Sequence, residues 1–146
     1  MTWDQSQQDL ELLEFFKYAI KIRKKLIKIF NPSLLTSNQN HENIPRYHWH
    51  GTKLNNPDWS SWSHTAAFSI NKGKTNPLVW IGLNAYSKNI DFTLPKCEYN
   101  WLKVIDTSIS DIFEPITVNE QSIRIKSRSS ILIISKEVFD GVNDLM

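Results

Sequence analysis

The sequence predicts a mainly β protein, an antiparallel β-sandwich of about seven to eight strands preceded by one long amphipathic helix. Apolar residues recur at helical spacing from Leu10 to Phe30, which is typical of an amphipathic helix. From residue 65 onward, short alternating or β-branched runs follow one another with turn residues between them. Because so many short strands must each bury one side, we expect two packed sheets.

Length and composition indicate a single globular domain. The chain has 146 residues, of which 40% are hydrophobic and 22% are charged, and a chain of this kind buries a core without disulfides. The net charge of +2 is too small to indicate a nucleic-acid partner. Cys97 is the single cysteine, and the start of the sequence lacks the apolar stretch of a secretory signal. We therefore expect a cytoplasmic protein, and the short apolar run Ile131–Ile134 predicts no membrane association.

The predicted helix carries its apolar side chains in two adjacent rows. Ser6 and Asp9 fit a capping box at its start, and Asn31-Pro32 ends it. Together the rows cover an arc of about 200°, twice the width that a helix on one surface needs. This width predicts neighbours on two sides of the helix. The outer row is Leu13, Phe16, Ile20 and Ile27, and the inner row is Leu12, Phe15, Ala19, Ile22, Leu26 and Ile29.

Charges on the helix follow its dipole, with Glu11 and Glu14 early and four lysines late. We interpret the basic cluster as a solvated face rather than a nucleic-acid surface. Arg23 is the exception, because it projects inside the apolar arc. It is expected to extend its charge to water or to meet a buried carboxylate.

The remainder of the chain is predicted to be strands joined by turns. Polar and turn-rich residues before it indicate a connector, so we divide the chain into a helix at 1–31, a connector at 32–46 and a sandwich at 47–146. The short turns Asn71–Lys74 and Ser87–Asn89 predict a meander of consecutive antiparallel strands. The predicted strands are Thr65–Ile70, Leu78–Tyr86, Ile90–Leu94, Trp101–Asp106, Ile116–Val118, Ser122–Lys126 and Ser130–Ser135.

The segment RYHWHGTKLNNPDWSSWSH, residues 46–64, holds three of the six tryptophans and three of the four histidines. Three interpretations are open. In the first, its indole rings bind a flat ligand such as a sugar. In the second, His48 and His50 bind zinc with His64 or Asp58 as further ligands. In the third, the segment packs between two layers. Packing is favoured because an indole buries a large area and the histidine spacing is weak for zinc.

Other catalytic signals are weak. The downstream acids have no spacing that identifies an acid and base pair, and Asp111 and Glu114 fall in a predicted loop. The four glycines are scattered, so no phosphate-binding loop is predicted. We expect no cofactor and no bound metal.

A set of short motifs follows one another along the chain. They are Trp49–Gly51, Pro57–Ser60, Ser63–Phe68, Leu83–Tyr86, Ile90–Pro95, Trp101, Val104–Ser108 and Ser129–Ile134. These motifs resemble the end of isoamylase-type debranching enzymes, the glycogen and starch α-1,6-glucosidases of the α-amylase superfamily, glycoside hydrolase family 13, and they occur in that family's order. Upstream, Trp3-Asp4 and the helix resemble the segment around the last helix of the catalytic barrel, so the resemblance covers nearly the whole chain.

The resemblance implies a non-catalytic role for this chain. Enzymes of this family place their carboxylates on barrel strands that precede the matching segment. The implied fold is the C-terminal β-sandwich of an α-amylase, and the implied function is an accessory domain that packs on and stabilises the barrel. An independent carbohydrate-binding module for α-glucan is the alternative, followed by a small metal-binding protein.

The resemblance also implies partners and contact residues. The catalytic barrel is the expected partner, with α-glucan (glycogen or amylopectin) as a second, and the uncovered helix face is expected to favour self-association. In a eukaryote the expected location is the plastid stroma. Candidate barrel-interface or glucan contacts are Trp49, His50, Trp59, Trp62 and Arg23.

Overall fold

The computed structural model describes residues 7–30, 45–109 and 114–141. The predicted cap at Ser6, the helix end at Asn31-Pro32 and most of the connector lie outside these residues. Helix α1 spans Gln7–Phe30 and helix α2 spans Lys136–Gly141. The described ranges contain eight strands: β1 Pro45–His50, β2 Thr65–Lys72, β3 Asn76–Asn84, β4 Ile90–Thr93, β5 Trp101–Asp106, β6 Ile116–Val118, β7 Ser122–Ile125 and β8 Ser129–Ser135.

The strands form two antiparallel sheets. The large sheet has six strands in the order β1-β2-β3-β8-β5-β6, and the small sheet pairs β4 with β7. Both sheets are antiparallel throughout. The predicted fold class, a β-sandwich of seven to eight strands behind one long helix, is therefore confirmed.

Each face of the large sheet has its own core. On one face, Tyr18 and Ile22 of α1 pack against the sheet. On the other face, Trp80 packs edge to face on Phe92 of the small sheet, with 5.9 Å between ring centroids and a 74° angle. The core under the helix contains Tyr18, Ile22, Ile70, Leu78, Val79, Leu102, Val104 and Ile134. The core between the sheets contains Ala67, Trp80, Phe92, Leu94, Trp101, Ile125, Ile131 and Ile133.

Of the two turns predicted to join consecutive strands, only the first closes a hairpin. β2 and β3 are joined by a turn in which Gly73 has φ 67°, a value that favours glycine. The turn at Ser87–Asn89 does not close a second hairpin, because β4 pairs with β7 while β3 pairs with β8. The Asn84 amide fixes this crossing, since it donates to the carbonyl oxygens of Lys88, Ile125 and Lys126 at 2.9, 3.1 and 3.0 Å.

Two elements were not predicted. β1 begins at Pro45, inside the predicted connector, and α2 follows β8 directly. The Lys25 ammonium of α1 lies 4.0 Å from the centroid of the Phe139 ring, a cation–π contact that links the two helices. Helices as short as α2 leave little periodicity in a sequence. Within the described part of the chain, neither helix has the length and hydropathy of a bilayer-crossing segment.

Candidate interaction surface

The outer row of α1 lies in solvent while the inner row packs on the sheet. Phe16, Ile20 and Ile27 expose 55%, 51% and 52% of their surface. Ile22 of the inner row exposes 2%. The described side chains of α1 therefore present one covered and one open apolar face, so the structure provides a neighbour on one of the two sides that the wide arc predicts.

Two residues of α1 depart from the predicted rows. Tyr18 is buried although it was assigned to neither row, and Leu12 of the inner row is exposed. Leu12 lines a groove together with Phe15, Thr107 and Ser108. Arg23 is exposed, so its charge lies in solvent.

Three exposed rings, Tyr47, Trp49 and Trp59, form what we call the aromatic ledge. Tyr47 and Trp49 project from the same face of β1 because they are two residues apart on a strand. The Trp49 and Trp59 centroids are 5.1 Å apart with the rings at 74°, an edge-to-face contact. Trp49 also lies 5.3 Å from the Phe68 ring.

The aromatic ledge lies on the same side of the large sheet as α1. Phe68, which contacts Trp49, packs against the core that contains Tyr18 and Ile22. The predicted contact residues Trp49, Trp59 and Trp62 expose 49%, 65% and 75% of their surface. The structure brings Trp49 and Trp59 together, whereas Trp62 makes no ring contact with another described residue.

His50 is buried on the face of β1 opposite Tyr47 and Trp49, and it holds the loop 51–64 in place. The Asn55 amide N–H donates to His50 Nδ1 at 3.0 Å, and His50 Nε2 lies 2.9 Å from Ser69 Oγ. Ser69 Oγ in turn donates to Asn71 Oδ1 at 2.8 Å. Since the Ser69 hydroxyl already donates its proton to Asn71, His50 Nε2 must be the donor to Ser69 Oγ and Nδ1 the acceptor from Asn55. The network therefore fits a neutral imidazole.

The surroundings of His50 also favour the neutral form. Burial lowers the pKa of His50 below 6.5 and the charge of His48 lowers it further, while a side-chain hydrogen bond with Asn55 acts in the opposite direction. Both His50 and Ser69 are buried, so the pair is inaccessible to a substrate. Its role is to pin the loop that carries Trp59.

Backbone features give the loop a defined shape. A Cβ atom on Gly51 would collide with the carbonyl oxygen of Asn56, so only glycine fits there. Asn55 has φ 55°, a left-handed conformation that asparagine tolerates. The Ser60 N–H donates to Asp58 Oδ1 at 3.0 Å, which closes an Asx turn just after Trp59.

The histidines of this segment do not converge on a metal site. His50 faces Ser69, while the His64 ring lies 5.3 Å from that of Tyr86. Among the residues that the structure describes, no three His, Cys, Asp or Glu side chains are placed to hold a metal ion. The zinc interpretation of His48, His50, His64 and Asp58 therefore has no geometric support.

Among the residues that the structure describes, three carboxyl groups have shifted pKa values, and all three shift downward. Hydrogen bonds from Ser60 lower the pKa of Asp58, and those from Arg124 lower the pKa of Asp91. Burial raises the pKa of Asp106, but hydrogen bonds from Lys103 and Ser108 outweigh it, so the net shift is downward. These groups are held as carboxylates, the opposite of a general acid.

The architecture defines a class of β-sandwich domain whose distinctive feature is an open apolar surface. This surface consists of the outer row of α1 and the aromatic ledge. The chain belongs to the family described as "Isoamylase 1-3, C-terminal", which matches residues 48–142. The resemblance to isoamylase-type enzymes is thereby confirmed.

Two curated relatives are isoamylases. The chain is similar to "Isoamylase 1, chloroplastic" of Oryza sativa subsp. japonica, with 29% identity over 106 residues, and to "Isoamylase SU1, chloroplastic" of Zea mays, with 28% identity over 107 residues. Each match covers 72% of this chain and 12% of the relative. The chain thus spans a small fraction of the length of these relatives.

Proposed function

We propose that this chain is the C-terminal accessory domain of an α-1,6-glucosidase that debranches glycogen or starch. In this role it packs on and stabilises the catalytic barrel and does not itself catalyse hydrolysis. The observation that carries the proposal is the exposed outer row of α1. An exposed apolar row next to a buried one is typical of a surface that binds another protein domain. Family membership supplies the type of parent enzyme.

Helix α1 would then pack on both the β-sandwich and the catalytic barrel. Its inner row shares a core with the large sheet, while its outer row would pack on the barrel. The aromatic ledge lies on the same side of that sheet, so a barrel lying over α1 would reach Trp49 and Trp59 as well. Burying these half-exposed side chains stabilises the contact by about 25 cal/mol for each Å² removed from water.

The state of two carboxyl groups supports the proposed absence of catalysis in the isolated chain. Retaining glycosidases need one carboxylic acid with a raised pKa close to a second carboxylate. Asp91 is instead bound by the Arg124 guanidinium at 2.7 and 2.8 Å, and Asp106 pairs with Lys103 at 2.8 Å. Both are committed to structural ion pairs.

The proposed location follows the parent enzyme. The two relatives are named as chloroplastic, which supports the plastid stroma for a plant parent enzyme. For a parent enzyme of an organism without plastids, the proposed location is the cytoplasm. Without its barrel, the chain is expected to self-associate through the outer row.

A chimera tests the proposal directly. This chain would replace the matching C-terminal segment of rice isoamylase 1, and release of reducing ends from amylopectin would be measured. We expect activity in the chimera, none in the chain alone, and a large loss when Phe16→Glu and Ile20→Glu are combined. Ile116→Glu is the matched control, because Ile116 is similarly exposed (46%) but lies on β6.

Two results would overturn the proposal. One is release of reducing ends by the purified chain that disappears when residues of this chain are changed. The other is a chimera whose activity and thermal stability are the same with and without the two glutamates.

The second candidate function is an independent module for α-glucan. It is favoured by the exposure of Trp59 and Trp62 in one loop, since an indole face stacks on a sugar ring. Tryptophan fluorescence titrated with maltoheptaose decides between the two. A saturable shift that Trp62→Ala removes supports the module, and an unchanged spectrum supports packing.

A further inference from the structure

A second concave surface lies at the other edge of the large sheet from the aromatic ledge. It is a groove of about 400 Å³ between the two connections that join the sheets, residues 94–100 and residues 119–121. The ledge is carried by β1 and this groove adjoins β5 and β6, which are at opposite ends of the strand order. Nothing in the interaction surface described above uses this groove.

The floor of the groove is rigid. The Leu94 N–H donates to the Gln121 carbonyl oxygen at 2.8 Å, which ties the two connections together. The Trp101 indole N–H donates to the Pro95 carbonyl oxygen at 3.0 Å. Leu94 and Trp101 are both buried, so the floor is an apolar base fixed before any ligand arrives.

The rim of the groove carries paired donors and acceptors but little net charge. The amide side chains of Asn100, Asn119 and Gln121 are exposed and form no hydrogen bond with any residue that the structure describes. Lys96 and Glu120 on the same rim have opposite charges. An amide both donates and accepts, so this rim suits a neutral ligand rich in hydroxyl groups better than an anion or a cation.

Tyr99 adds an aromatic face to the rim, since its side chain is 44% exposed. A pyranose ring has apolar C–H faces and hydroxyl edges, which match an aromatic ring and amides respectively. The volume also falls within the range of about 300–1,000 Å³ that is usual for small-ligand sites.

We propose that this groove binds a neutral sugar, a short segment of α-glucan. The assignment of α-glucan rather than another sugar rests on the proposed function above. The groove would hold part of the polymer at a distance from the surface that faces the barrel, so both contacts can form at once.

Cys97 makes the proposal testable, because the chain's single cysteine lines this groove. The rate of Cys97 alkylation by iodoacetamide would be measured against rising maltoheptaose, with cellohexaose as the comparison sugar. We expect maltoheptaose to slow alkylation saturably and cellohexaose to have little effect. Tyr99→Ala should raise the apparent Kd roughly 2–10-fold, from the usual strength of an aromatic contact.

Tyr86→Ala is the matched control, because Tyr86 is similarly exposed (40%) and lies outside the groove. It should leave the apparent Kd unchanged. Circular dichroism of each variant confirms that it is folded, and Asn119→Ala provides a second change on the rim that is expected to weaken binding in the same direction.

Three results would overturn the groove proposal. They are an alkylation rate that maltoheptaose does not change, equal protection in wild type and Tyr99→Ala, and binding that Trp49→Ala abolishes while Tyr99→Ala preserves. The last result would place sugar on the ledge instead. The barrel-packing proposal is tested separately, because Phe16→Glu and Ile20→Glu alter no residue of the groove.

Discussion

The two sides of the large sheet differ in how completely this chain covers them. The side that faces the small sheet is closed by Trp80, Phe92 and Trp101, all buried. In the part of the chain that the structure describes, the side that carries α1 is covered by α1 and by Val138 and Phe139 of α2. The outer row and the aromatic ledge on that side are exposed. The tryptophans Trp80 and Trp101 on the closed side therefore belong to this chain's own core, whereas those on the open side are exposed.

The largest difference in stability between the two sides should be seen when a tryptophan of each side is replaced by alanine. Trp80 is fully buried, so Trp80→Ala removes a large packed ring and should lower the free energy of unfolding by about 3–5 kcal/mol. Trp62→Ala on the open side should change it by no more than about 0.5 kcal/mol. Urea unfolding followed by circular dichroism measures both. Similar losses in the two variants would mean that Trp62 is part of this chain's own core.

The two rows of α1 sharpen the comparison within one helix. Ile22→Ala should lower the free energy of unfolding by about 2–5 kcal/mol, because it empties a packed site. Ile20→Ala is the matched control with the same chemistry, and as an exposed site it should cost no more than about 0.5 kcal/mol. Thermal unfolding of both variants checks this. Equal costs would contradict the assignment of inner and outer rows.

Breaking the hydrogen-bond network of His50, Ser69 and Asn71 should have an intermediate effect on the free energy of unfolding. Ser69→Ala leaves His50 Nε2–H and Asn71 Oδ1 without their partner, which costs about 1–3 kcal/mol. It should also loosen the loop 51–64 that His50 holds through Asn55. Amide hydrogen exchange at Asn55 is the specific measurement, and unchanged protection there would show that the loop does not depend on this network.

The pH dependence of stability tests the neutral state of His50. Because its pKa is lowered below 6.5 in the folded chain, the unfolded chain takes up the proton first as pH falls. The free energy of unfolding should therefore decrease as pH falls from 6.5 through the folded pKa, with a slope of at most about 1.4 kcal/mol per pH unit. His50→Gln cannot titrate and should remove this part of the slope. A variant that keeps the full slope would assign it to other groups.

Most of the fold could be predicted because its elements have regular periods. β5 and β6 have the predicted bounds, and α1 was found from its apolar rows. The crossing between sheets after β3 could not be predicted, because it depends on Asn84 reaching carbonyl groups of residues about 40 positions later in the chain. β1 was not predicted, because its six residues were read together with the irregular loop that follows and their alternating pattern was not recognised.

The candidate site could be predicted in composition but not in arrangement. The sequence identified Trp49, Trp59 and Trp62 as a ring-rich segment, yet only the fold shows that the first two touch and the third does not. It could not show that His50 is buried, because its partner Ser69 lies 19 residues away on the next strand. The sequence alone does not reveal that β1 pairs with β2, and this pairing is what brings His50 next to Ser69.

The open side of the sheet is tested most directly by the association state of the purified chain, measured by sedimentation velocity over a concentration series. We expect the wild type to self-associate and the variant with Phe16→Glu and Ile20→Glu to remain a folded monomer, with Ile116→Glu associating like the wild type. A wild type that stays monomeric at every concentration, or one whose association the two glutamates do not alter, would contradict the outer row as an interface.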